Sequence, residues 1–304
     1  LRENAGRKRS VARTLLLRAE AKVLDGGLAE AIPLLKQGVT ALEEHKDLGH
    51  AALGRVRLGR LLYEKGDVDD AVNCLDEAIR LANTSRDPRP MAAARMTRAF
   101  VHAELGELDA AMKLLNEAAQ AFQAARMPVQ IVEVAAAGLQ RRHGGQMDAF
   151  DRLKNVSEAF KKAGAAVQWA DAWHEAARCQ LELGQFTDAV KMINEVIDIR
   201  KRARDRFGLV RLYEDLAEAL KGQGDTAGAV VELARARQLA DTLGLAGRLG
   251  RLDASLSLAE SALDTDAAAD ALALRKQGAA EMDELEALWA AGPQAQAEAS
   301  SEVH

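Results

Sequence analysis

Aromatic residues make up only 4% of this 304-residue chain, and it holds just 5 prolines and 2 cysteines. So few prolines leave long stretches free to be helical, and the abundance of Ala, Leu, Glu and Arg predicts helix throughout. Cys74 and Cys179 are too few and too far apart for a disulfide framework or a zinc site. They predict reduced, buried thiols in a cytoplasmic protein. No apolar run approaches the ~18 residues of a membrane span. The chain opens on Leu1 with Arg2, Arg7, Lys8 and Arg9 close behind, and no long apolar segment follows them, which argues against a secretory signal. A leucine in place of the initiator methionine reads as a fragment of a longer protein or a trimmed N-terminus.

The motifs of common chemistries are missing too. His174-Glu175-Ala176-Ala177 begins like a zinc-protease helix, but Arg178 stands where the second histidine belongs. Gly222-Gln223-Gly224-Asp225 imitates a dinucleotide loop, yet it follows a helical pattern rather than a strand. No phosphate loop ending in Gly-Lys-Ser/Thr is present, and the six histidines are scattered. The chain is therefore expected to be no enzyme and to carry no cofactor and no metal. Net charge is −5 but uneven. Residues 1–22 carry seven Lys/Arg against two Glu, and residues 252–304 carry eleven acidic groups against Arg275 and Lys276. Without aromatic interleaving or a recognition helix, the basic start does not read as a nucleic-acid site. The opposed ends could instead meet head to tail in self-association, and Leu285, Leu288 and Trp289 of the last helix pair offer a second, symmetric route.

What is present is a period. Ala31 returns as Ala71, Ala111, Ala149, Ala189 and Ala229, at spacings of 40, 40, 38, 40 and 40 residues. A glycine lies five residues earlier in most copies (Gly26, Gly66, Gly106, Gly184, Gly224), and a bulky apolar residue four later (Leu35, Leu75, Leu115, Leu153, Ile193, Leu233). Such a period is the mark of stacked helix pairs. In residues 52–90 the spacing predicts one helix to Lys65, a turn at Gly66-Asp67, and a second helix over about 68–82. Gly59 faces Ala71 there, because two helices approach closely only where both residues are small. Pro33 should delay or kink the second helix of the first pair, and the fourth turn, His143-Gly144-Gly145-Gln146, reads as looser than the rest.

These units resemble tetratricopeptide (TPR) repeats from about Val11 to Gly244. The length near 40 is similar to the repeats of kinesin light chains and of sensor solenoids in bacterial transcription regulators. The resemblance implies an all-α, right-handed superhelical solenoid of about seven antiparallel helix pairs. Residues 1–244 form six TPR-like pairs, 245–291 a degenerate capping pair, and 292–304 a disordered tail.

In this family the first helix of each pair lines a concave groove. Carried onto this chain, the inward positions are Leu16/Glu20, Val56/Arg60, Met96/Phe100, Val134/Gly138, His174/Arg178 and Glu214/Glu218. None is Lys or Asn, so capture of a chaperone tail's free carboxylate is disfavoured. The expected peptide-binding set is Arg60, Tyr63, Met96, Phe100, Arg141, His174 and Arg178, apolar surface beside arginine forks. Such a set suits a peptide carrying Asp or Glu. Trp169 and Trp173 read as packing residues. The expected function is a non-enzymatic scaffold for a protein or peptide partner; the alternative is a sensor module of a larger regulator that binds a small ligand or peptide.

Overall fold

The computed structural model describes residues 2–24, 27–263 and 268–291, and among these there is no strand and there are fourteen helices. They are α1 (Arg2–Leu24), α2 (Leu28–Glu44), α3 (Leu48–Lys65), α4 (Val68–Ser85), α5 (Pro88–Glu104), α6 (Leu108–Ala124) and α7 (Gln130–Arg142). Then come α8 (Gln146–Lys162), α9 (Ala166–Glu182), α10 (Phe186–Ala203), α11 (Arg206–Gly222), α12 (Thr226–Thr242), α13 (Ala246–Ser261) and α14 (Ala268–Ala291). The architecture is all-α and TPR-like. Residues 292–304, expected to be a disordered tail, lie outside the described residues, as does Gly26.

Two compact units divide the chain, residues 1–179 and 180–304. In the first, α1 packs on α2, α3 on α4, α5 on α6 and α7 on α8, and each pair packs on the next. The period explains why. All six recurrent residues, Ala31 through Ala229, are at most 1% exposed, and the bulky residue four positions on is buried in every copy. Gly59 shows how tight the contact is: a Cβ there would lie 2.7 Å from Leu75 Cγ and 3.3 Å from the Ala71 carbonyl. Glycine also closes the turns inside pairs, with Gly66 at φ +101° and Gly106 at φ +82°, a region that side chains other than glycine's enter only with strain.

Two local expectations give way. The fourth turn is no looser than the others: Gly144 is left-handed at φ +90°, and the Gly145 amide donates to the Gln140 carbonyl at 3.1 Å, as Glu107 does to His102 at 2.8 Å. Nor does Pro33 delay α2, which runs unbroken from Leu28. Pro33 and Ala29 are both exposed, so the carbonyl that loses its partner to the proline ring meets water.

In the second unit α11 packs on α12, and α13 on α12. The last helix behaves differently. Instead of pairing with α13 as the earlier hairpins do, α14 lies along the outer side of α12, with Gly278 against the Val231 carbonyl, Glu281 bound by Arg235, and Asp283 accepting from Gln238 at 2.8 Å. The contacts advance together along both helices, so the two run parallel. The far end of α14 reaches the α10–α11 turn. Arg206 donates twice to Glu286, at 2.7 and 2.5 Å, its guanidinium sits 4.7 Å from the Trp289 ring centroid, and Trp289 Nε1 donates to the Lys201 carbonyl at 3.2 Å. Trp289 is 4% exposed. Of the three residues expected to offer a symmetric dimer surface, Trp289 is committed within the chain, and Leu285 and Leu288 are half-buried.

Candidate functional site

The odd-numbered helices of the first unit form one continuous layer, α3 lying against α5 and α5 against α7. Each step of the layer carries a side-chain bridge. Arg13 of α1 meets Asp47, which precedes α3, at 2.6 Å, and Glu20 of α1 meets Arg57 of α3 at 2.6 Å. Tyr63 of α3 packs edge-on against Phe100 of α5, ring centroids 5.7 Å apart and planes at 83°. Glu104 of α5 pairs with Arg142 of α7, and Arg141 of α7 with Glu175 of α9 at 3.3 Å. At Asp47 burial raises the carboxyl pKa, but hydrogen bonds from Arg13 and His50 outweigh it and hold the group below its ordinary value.

The seven expected site residues divide into two groups. Tyr63, Met96, Phe100 and Val56 are half-buried; Tyr63 packs on Phe100, Met96 lies one turn before Phe100 on α5, and Arg60 stands exposed one turn from both Val56 and Tyr63. Arg60 makes no hydrogen bond or ion pair among the described residues. The other cluster is built around Glu175, which the sequence did not single out. One of its oxygens takes Arg141 and the other takes Arg178 at 3.5 Å, with His174 next along α9. Arg141 departs from expectation: it is 2% exposed, so it ties α7 to α9 rather than facing a ligand. Gly138 makes room for this, since a Cβ there would come within 2.9 Å of the Glu175 carboxylate. Leu16, placed inward by the resemblance, is instead core at 2% exposure, pressed beneath Gly38 and Gly54. Trp169 and Trp173 stack at 5.7 Å and are half-buried, as packing residues would be.

The layer's chemistry is that of a charged surface already largely paired. His174-Glu175, which opened like a metal motif, spends its carboxylate on two arginines, and among the described residues no three His, Cys, Asp or Glu side chains gather as metal ligands. Gly222-Gln223-Gly224-Asp225 is a turn: Gly224 is left-handed, and the Asp225 carboxylate accepts from the Gly228 amide at 2.8 Å. Both cysteines are buried and in no disulfide, and burial pushes the Cys74 thiol pKa up. In the second unit Glu214 pairs with Arg248 at 2.7 Å, and burial raises its carboxyl pKa although Arg248 opposes the shift. No helix among the described residues is long and apolar enough to cross a membrane.

Residues 2–246 match the family described as the MalT-like TPR region. The chain belongs to that family. Solved structures similar to this TPR region include aspartyl phosphate phosphatase F from Bacillus subtilis, 12% identical, covering 78% of this chain and 62% of that one at a TM-score of 0.61. Another is a Rap protein complexed with competence and sporulation factor, 14% identical, covering 81% and 75% at a TM-score of 0.57. A kinesin light chain-type repeat protein from Podosopora anserina is 20% identical over 65% of this chain and 98% of its own, at a TM-score of 0.46. A comparison with curated proteins gives no match. At these identities the first two, with TM-scores above 0.5, speak for the fold alone.

The sequence could have revealed the bridges. Glu20/Arg57, Glu104/Arg142 and Arg141/Glu175 are opposite charges 37, 38 and 34 residues apart, close to one repeat. That spacing brings neighbouring odd helices side by side.

Proposed function

We propose that the odd-helix layer of the first unit captures a peptide segment of a partner protein. Its apolar side chains would cover Val56, Tyr63, Met96 and Phe100, while an Asp or Glu takes the fork of Arg60. One observation carries this reading: on this layer Arg57, Arg141, Arg142 and Arg178 each have a carboxylate, whereas Arg60 stands exposed without one among the described residues, one turn from Val56 and from the Tyr63 ring that packs on Phe100. The protein acts as a non-catalytic scaffold in a reducing, cytoplasmic setting, in keeping with two thiols in no disulfide. The similar fold of a Rap protein complexed with competence and sporulation factor supports this reading.

The test is a calorimetric titration of a partner recovered by affinity capture, using Arg60→Glu and Phe100→Ala. Each is expected to weaken binding about ten- to hundred-fold, about 1.4–2.7 kcal/mol, with helix content unchanged. Unaltered affinity in both would sink the proposal.

The match to a MalT-like TPR region favours a second reading, a sensor region of a larger regulator whose occupant shifts the packing of successive pairs. Small-angle scattering during the same titration separates the two. A sensor changes its dimensions on binding, and a scaffold does not.

A further inference from the structure

Left-handed residues close the turns on both edges of the helix layers, and the two edges choose different side chains. Where an odd helix hands over to the even helix after it, the left-handed residue is Gly66, Gly106, Gly144, Gly184 and Gly224. Where an even helix hands over to the next odd one, it is Lys46 (φ +56°), Arg86 (+58°), Arg126 (+53°), Gly164, Arg204 (+53°) and Gly244. The closing bonds are alike. The Asp67 amide donates to the Leu62 carbonyl at 2.9 Å on the first edge, and Asp47 to Leu42 and Met127 to Phe122, both at 2.9 Å, on the second. Glycine takes this conformation freely and a branched-off side chain does not. Gly164 and Gly244 show that the second edge accepts glycine.

Helix-end electrostatics do not account for the difference. A cation at a helix C-terminus is favourable, but every turn on both edges follows a helix C-terminus. The cations are retained on one edge against backbone strain, and strain kept in place points to use. In the first unit Lys46, Arg86 and Arg126 follow one another in successive turns. All three are exposed, with no hydrogen bond or ion pair from their side chains among the described residues. Exposed Arg89, Lys161 and Lys162 extend the row. The carboxylates nearby in sequence are Glu43, already bound to Arg55, Asp47, already bound to Arg13 and His50, Asp87, which accepts from the Arg89 amide, and Glu44, Glu133 and Glu158.

We propose that this edge of the first unit docks an extended acidic segment of a partner protein, with carboxylates at about every third residue. Because α3 lies against α5 and α5 against α7, the turns that lead into them are about one interhelix distance apart, ~8–10 Å. A chain extended as a polyproline II helix rises about 3.1 Å per residue with about three residues per turn, so every third side chain lies on one face and meets the next cation. A nucleic acid fits less well. Residues 44–50, 84–90 and 124–130 hold no Phe, Tyr or Trp on which a base could stack, and the chain is acidic overall. These residues are separate from the Arg60 patch, so the two proposals fail independently.

The test is the triple variant Lys46→Gly, Arg86→Gly, Arg126→Gly in the full chain. The probe is a fluorescein-labelled peptide of five Glu-Ser-Gly repeats, read by fluorescence anisotropy at low ionic strength. Wild type is expected to bind the probe, and to bind it more tightly than a single-stranded oligonucleotide of equal charge. The triple variant is expected to bind it at least ten-fold more weakly while its Tm is unchanged or higher, since strain is relieved. Lys46→Gln, Arg86→Gln, Arg126→Gln should lose the same affinity. The proposal is overturned if wild type does not bind the probe, if the triple glycine variant keeps its affinity, if that variant's Tm falls, or if the oligonucleotide wins.

Discussion

Five even helices turn polar or charged residues, and in one place a proline, to water at positions where the sixth turns apolar ones inward. Two and five residues after the recurrent alanine stand Pro33 and Lys36, Asn73 and Asp76, Lys113 and Asn116, Asp151 and Lys154, and Lys191 and Asn194, all exposed. On α12 the same positions are Val231 and Ala234, 8% and 2% exposed beneath α14. A repeat thus keeps its inward face and rewrites its outward one when another element must lie there. The difference teaches that α12 has two buried faces, and that α14 is a built part of the second unit. Polar contacts reinforce the seat: Arg235 spans Glu232 of α12 and Glu281 of α14.

The sharpest way to break this contrast is Gly278→Leu. A Cβ at 278 would sit 2.4 Å from the Val231 carbonyl, so α14 must lift, exposing Met282 and Trp289. At about 1.5–3 kcal/mol for each large side chain, the loss is about 3–6 kcal/mol, read as faster amide exchange along α14 and a lower Tm. Lys191→Leu, at the matching outer face of α10, should leave both readouts unchanged.

Arg235→Ala comes next. It leaves the buried Glu232 carboxylate without its cation, which in a fully buried pair costs about 3–5 kcal/mol; because the Arg235 side chain is 23% exposed, about 2–3 kcal/mol is expected in denaturant unfolding of the second unit. A loss below about 0.5 kcal/mol would place the pair among ordinary surface ion pairs.

The smallest effect is a pH dependence. Burial holds the Glu232 carboxyl above its ordinary value although Arg235 pulls the other way. At Glu281 burial also raises the pKa, but hydrogen bonds from Gln277 and Arg235 prevail and hold it below. A carboxyl raised in the docked state binds its proton more tightly there, so acidifying from neutrality toward about pH 4.5 should tighten the seat of α14. Below that, protonation of Glu281 should loosen it. Trp289 fluorescence in a Trp169→Phe, Trp173→Phe background follows both limbs, and Glu232→Gln should remove the first limb alone.

Much of the architecture could be read in the sequence because close helix packing leaves few options. Ala71 beside Gly59 tolerates nothing larger, and a left-handed turn at Gly66 is written by the residue itself. The candidate site was less legible. Arg141 and Arg178 look like free cations in one dimension, and only a carboxylate on a neighbouring helix, Glu175, shows that both are occupied. Arg60 could be told from them only once its surroundings were known. The seat of α14 did leave a trace in Val231 and Ala234. Because the glycine-turn pattern fades after Gly244, residues 245–291 read in sequence as a degenerate capping pair.

In unit one each helix holds mainly its nearest neighbours, through contacts such as Arg57–Glu20 and Arg142–Glu104. In unit two α14 fastens α10, α11 and α12 at once, by Lys201, Arg206 and Arg235. Under a mechanical pull, the first should lengthen gradually, hairpin by hairpin, in small force steps. The second should resist until the strap tears and then yield abruptly, giving one chain two distinct elastic responses.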